Sequence, residues 1–143
     1  MYQHIMVPID GSKQSLLAFK KAVCLAKQTQ ASLLLVHIID TRNYQSILTY
    51  DASLAKESKE ESEKQMTDCY HYAKEQGIQN IETVIKFGSP REEICYHLPE
   101  KYHIDYIMMG ATGLNVVERL LLGSVSDYVT RYAPCDVTIV RTK

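Results

Sequence analysis

The chain has 143 residues, of which 45% are apolar and 23% charged, and its formal net charge is −1. A chain of this length suits a single domain, because it buries about two-thirds of its unfolded surface and so carries a real core. The charge excludes long-range attraction to nucleic acid or an anionic membrane, and no apolar run approaches the roughly 20 residues of a membrane span.

The opening Met1-Tyr2-Gln3-His4 has neither the basic nor the apolar part of a secretory signal. The expected location is therefore cytoplasmic, with neither nucleic acid nor membrane among the partners. The apolar run 4–9 reads as a strand, closed by the turn Asp10-Gly11-Ser12. Ser12 is placed to N-cap a helix over 12–30, whose Ala18, Ala22, Leu25 and Ala26 form one apolar stripe. A second strand covers 32–38. The stretch 41–50 carries Tyr44, Ile47, Leu48 and Tyr50 without a clear period, and reads as the mobile part of the chain and a candidate lid or partner surface. A helix over 51–76 opens with Lys56-Glu57-Ser58-Lys59-Glu60-Glu61-Ser62, whose mixed signs suit a solvated face.

A third strand covers 81–86. In the helix that follows, over 89–102, Ser89-Pro90-Arg91-Glu92 reads as a capping box with proline at the first helical position. Ile94, Leu98 and Tyr102 continue one face, but Pro99 removes a hydrogen bond and clashes a turn back, which predicts a kink or an early stop. A strand over 105–109, a helix over 124–132 ended by Pro134, and a strand over 137–140 complete the chain. The strands are short and rich in Val, Ile and Leu, as strands covered on both faces are. Their alternation with helices implies right-handed crossovers in one Rossmann-like α/β domain over 1–143. Its doubly wound, five-stranded parallel sheet has helices on both faces. Strand order is not visible in this pattern.

Cys24, Cys69, Cys95 and Cys135 are scattered, with no C-x2-C pair. Cys24 and Cys95 lie on apolar helical segments and read as small buried hydrophobes. A zinc site from Cys95, His97 and His103 lacks ligand spacing, and no partner can be named for His4 or His71.

The most informative stretch is Gly110-Ala111-Thr112-Gly113, nine further residues, then Gly123-Ser124-Val125-Ser126. It follows the apolar Tyr106-Ile107-Met108-Met109, and its second half opens a helix. Glycines at a strand end let the backbone approach a ligand closely, and Gly-Ser at a helix start offers N–H groups, a hydroxyl and a positive dipole end that suit a phosphate. On spacing alone, turns and a helix cap account for the same residues. Ser124 would then cap the amides of 126 and 127, with Asp127 reaching back.

The spacing G-x2-G-x9-G-[ST] resembles the ATP-binding signature of the universal stress protein family. Ile5-Met6-Val7-Pro8-Ile9-Asp10-Gly11-Ser12, Leu33-Leu34-Leu35-Val36-His37-Ile38 and Pro134-Cys135-Asp136-Val137-Thr138-Ile139-Val140 resemble its first, second and closing strands. The resemblance implies the strand order 3-2-1-4-5 and ATP as ligand, with Mg²⁺. It also implies that Pro8 and Asp10 lie against ribose and adenine and that Ile38 contacts the base. Met109, Gly110, Thr112 and Gly113 would wrap the ribose and first phosphates, while Gly123, Ser124, Val125 and Ser126 hold the distal ones. Thr112 departs from the histidine often found in its place. The implied partners are a second copy, joined through the closing strand Val137-Thr138-Ile139-Val140, and a protein that senses the nucleotide state. For Asp10 and Ile38 the plainer alternatives are a turn cap and ordinary core strand. Asp10 is also the group placed to hold a metal through water.

Binding is better supported than catalysis. There is no G-x4-G-K-[ST] and so no Walker lysine; Arg119 beside Glu118 is the glycine loop's one cation; and no second carboxylate or base stands out. Hydrolysis, if present, would be slow. An adenylating ATP pyrophosphatase would want S-G-G-x-D-S where Asp10-Gly11-Ser12-Lys13-Gln14-Ser15 stands, and a nucleotidyl transferase would want H-x-G-H. A ligand-free dimeric stress protein is the other alternative, but the retained signature argues against it.

Overall fold

The computed structural model describes residues 2–40, 52–111 and 123–141. The strands are β1 (His4–Pro8), β2 (Ser32–Asp40), β3 (Ile81–Gly88), β4 (Tyr106–Gly110) and β5 (Asp136–Val140). All neighbours pair in parallel, in the order β3-β2-β1-β4-β5. This is the order that the resemblance implied.

Helices α1 (Lys13–Thr29) and α2 (Ala52–Glu75) cover one face of the sheet. Their Phe19, Ala22, Val23, Met66, Cys69 and Ala73 pack on Ile5, Val7, Leu33 and Leu35. The other face, with Met6, Leu34, Val36, Ile107 and Met109, is covered by α3 and α4. Helix α3 consists of Pro90–Glu92, a π turn over Glu93–His97 and Leu98–Tyr102, and α4 spans Ser124–Tyr132. Ile5 and Val7 thus point one way and Met6 the other, the period-2 alternation of a strand with cores on both sides.

Two local expectations hold. Ser12 caps α1 by accepting the Ser15 N–H at 3.1 Å, and Ala18, Ala22 and Ala26 are buried with Leu25 packed beside them. Three need correction. Cys24 is exposed, because it lies about 200° around α1 from both Ala22 and Ala26, which face the sheet. The Ser89 side chain makes no cap hydrogen bond; the residue is extended, and its carbonyl starts the helix by accepting the Glu93 N–H at 3.0 Å. Of the kink or early stop expected at Pro99, the early stop is absent, since α3 runs on to Tyr102. The π turn before it, closed by the Leu98 N–H on the Glu93 carbonyl, starts a fresh α segment with Pro99 in its first turn, where a missing N–H costs little.

His4, for which the sequence names no partner, bonds through Nδ1 to Ser32 Oγ at 2.7 Å. Burial pushes the thiols of Cys69, Cys95 and Cys135 up to about 11, so they stay protonated near neutrality. Among the described residues, no helix is long and apolar enough to cross a membrane, and no three His, Cys, Asp or Glu side chains come together as metal ligands.

Candidate functional site at the carboxyl end of the sheet

In a parallel sheet wound both ways, ligands lie beyond the carboxyl ends of the strands where the winding reverses. Here that point lies between β1 and β4, which pair through Ile5 with Tyr106 and Met6 with Ile107. Pro8 ends β1, Gly110 ends β4, and Ile38 lies near the end of β2. The sequence-predicted residues within the described chain therefore gather at one end of the molecule. Thr112 and Gly113, like the segments 41–50 and 114–122, lie outside the described residues.

The turn after β1 is built from short polar side chains. Gly11 takes φ 87°, a left-handed conformation open to glycine at little cost. Asp10 accepts the Ser12 N–H at 2.9 Å, an Asx turn, yet the residue remains exposed. The plainer alternative for Asp10 is thus present, and it leaves the carboxylate open to solvent. His37, which the sequence did not single out, pins this turn to β2: its Nδ1–H donates to the Ile9 carbonyl at 2.6 Å. The carbonyl can only accept, so the tautomer follows from the bond. Ile38 is half-buried against the α3/α4 core, as its plainer alternative requires.

Gly110 has a packing reason to be glycine. A Cβ there would stand 2.9 Å from the Gln14 carbonyl carbon and 2.9 Å from the Ser15 nitrogen, so β4 touches the backbone of α1. Close approach is indeed the role of this glycine, but the neighbour is a helix of the same chain. Met109 beside it is buried in the core.

Beyond the loop, the chain is anchored at a single carbonyl. That of Ala111 accepts the Gly123 N–H at 2.8 Å and the Ser126 hydroxyl at 2.5 Å, while the Ala111 N–H bonds to the Val140 carbonyl at 2.9 Å. Ser126 is 3% exposed and directs its hydroxyl into the chain, not outward. Helix α4 then starts at Gly123, which offers no side-chain cap. The first intrahelical bond is Asp127 N–H to the Gly123 carbonyl at 2.9 Å. The N–H groups of Ser124, Val125 and Ser126 precede it, at the positive end of the helix, with Ser124 exposed beside them. The cap expected of Ser124 is therefore absent.

One ionic cluster flanks this end. The Glu93 carboxylate, on a residue 6% exposed, accepts from Lys86 Nζ at 3.0 Å and from His97 Nδ1 at 2.9 Å. Burial pushes its pKa up, but these two donors outweigh burial and hold it below the ordinary carboxylate range. A cleft of about 370 Å³ lined by Lys27, Gln30, Gln76 and Asn80 lies between the C-terminal ends of α1 and α2, at the opposite, amino end of the strands, and takes no part in this site.

The fold defines a doubly wound α/β domain whose winding reverses between β1 and β4, beside a helix N-terminus with no side-chain cap among the described residues. The universal stress protein family model matches residues 1–141, and the chain belongs to that family and so to the stress-response proteins. A Staphylococcus haemolyticus relative carrying the universal stress protein name is 43% identical over 142 residues, 99% of this chain and 86% of the relative. Universal stress protein UspA from Lactobacillus plantarum has 30% identity and a TM-score of 0.86, with 98% of each chain covered. A universal stress protein solved in complex with cAMP has 27% identity and a TM-score of 0.70, covering 99% of this chain and 98% of its own.

Proposed function

We propose that this domain binds ATP, accompanied by Mg²⁺, and acts as a nucleotide-dependent sensor or switch. The observation that carries this is the pairing of the β1/β4 reversal with an α4 first turn that has no side-chain cap among the described residues. The cAMP complex of the 27% identical relative supports an adenine nucleotide as the ligand class. Pro8, Asp10 and Ile38 would meet the nucleoside, and Met109, Gly110, Thr112 and Gly113 would run beside the ribose. Gly123, Ser124, Val125 and Ser126 would hold the phosphates, chiefly through main-chain N–H groups, since the Ser126 hydroxyl is already engaged. Exposed Asp10 is the group placed to hold Mg²⁺ through water. A second copy would join along β5, an edge strand of the sheet, and sedimentation or light scattering reads the resulting mass.

The test is isothermal titration of ATP·Mg²⁺ into nucleotide-stripped protein, beside a Ser124→Asp variant. Aspartate at a helix start keeps or raises stability, while its charge repels a phosphate. Micromolar binding weakened at least tenfold in the variant supports the site. Absence of binding by the wild type puts the ligand-free dimer first. Hydrogen exchange in 41–50 and 114–122 that changes when ATP binds marks a switch; unchanged exchange leaves a binder without one.

A further inference from the structure

Arg91 is a cation with no ion-pair partner among the described residues. It is the second residue of α3, half-buried, with its guanidinium carbon 5.5 Å from the centre of the Tyr128 ring. Its Nε is buried with no hydrogen-bond partner. Among the described residues, no carboxylate pairs with it. A buried guanidinium N–H left unpaired costs free energy on the scale of a lost charged hydrogen bond, so its placement calls for a reason beyond packing.

The topology supplies one. Helix α3 starts where β3 ends, and α4 starts on the chain's return from the end of β4, so both helices begin at the carboxyl end of the sheet and on the same face. Tyr128 stands four residues after Ser124, on the same side of α4 and about 6 Å along it. Side chains on a helix lean toward its N-terminus, which brings ring and guanidinium toward the first turn. The corner that carries Arg91 is firmly set: Glu93 ties Lys86 of β3 to His97 of α3, and Tyr96 Oη bonds Tyr128 Oη at 3.0 Å.

We propose that Arg91 is the counter-ion for the phosphate chain held at the start of α4, parked over Tyr128 until a polyphosphate arrives. This rests on the nucleotide reading above and deepens it. The N–H groups of α4 bind one phosphate, and Arg91 adds preference for the more highly charged nucleotide. A guanidinium suits the task because its planar fork can leave a ring face and bind two phosphate oxygens without changing protonation.

Titration of ATP and adenosine into the wild type, Arg91→Gln and Arg91→Lys tests this, with thermal melting as a check on folding. Arg91→Gln should weaken ATP about tenfold to a hundredfold and leave adenosine within twofold. Arg91→Lys should recover part of the ATP loss. In the wild type, the Arg91 Nε–H resonance should shift with ATP and stay put with adenosine. Equal losses for ATP and adenosine, or no loss for ATP, would overturn the proposal while leaving the nucleotide site intact. A wild type that binds neither ligand would overturn the nucleotide reading and the proposal with it.

Discussion

Helices α1 and α4 both start at the carboxyl end of the sheet, and their first turns are treated in opposite ways. At α1, Ser12 accepts the Ser15 N–H, Asp10 accepts the Ser12 N–H, and the Ser15 hydroxyl donates to the Ser12 carbonyl at 3.0 Å. At α4 the cap position is Gly123, and the buried serine, Ser126, turns its hydroxyl back to Ala111. One helix start is closed by its own side chains, whereas the other has no side-chain cap among the described residues. Similar residue types, Gly and Ser beside a strand end, therefore close a helix start in one place and leave it without a side-chain cap in the other. What separates them is which hydroxyl reaches which amide.

The largest expected effect tests the closed side. Gly110→Ala drives a methyl group into the α1 backbone, where neither neighbour can swing away, and should cost about 3 kcal/mol in urea unfolding. A smaller loss would mean that α1 shifts easily on β4. Next comes Ser124→Asp, which should separate binding from stability: at least tenfold weaker ATP with an unchanged or slightly raised melting temperature. Ser12→Ala should do the reverse, with stability down about 1 kcal/mol and ATP affinity within twofold. If the two serine variants behaved alike, the contrast between the helix starts would be lost.

Much of the fold was legible because strand and helix periods are local. The alternation of apolar runs and helical stripes places all five strands, although their order came only from the family resemblance. Site legibility was uneven. Asp10, Ser124 and Gly123 stand at the strand and helix ends where pattern alone puts them. The reason for Gly110 was hidden because its close neighbour, Gln14, is 96 residues away in sequence and reaches it only through the tertiary fold. The inward turn of Ser126 was hidden for a similar cause, since its acceptor lies across the loop. His37 and Arg91 lie outside the glycine signature. The one sign available for Arg91 was a basic residue in the first turn of a helix, where the dipole disfavours it.

The smallest effect concerns the corner that holds Arg91. Glu93 titrates below its ordinary value of 4.5 in the folded protein, so it stabilises the fold above that pH. The contribution is lost as pH falls from about 4.5 through the folded value. Glu93→Gln should therefore flatten the acid limb of the stability profile below pH 4.5. An unchanged limb would show that Lys86 and His97 do not set the carboxylate's charge.

The π turn in α3 has a consequence for the length of the chain. Such a turn holds one residue more than an α-helix needs, so α3 is two short helices spliced out of phase by about 100°. Removing one residue from Glu93–His97 would bring the halves into phase, but it would swing Arg91 away from Tyr128 and set the Pro99 ring against the carbonyl a turn behind it. The proline thus makes the extra residue necessary. Loss of the extra residue alone would be blocked by the proline, so the phase slip that aims Arg91 is held in place by a ring more than one full turn away.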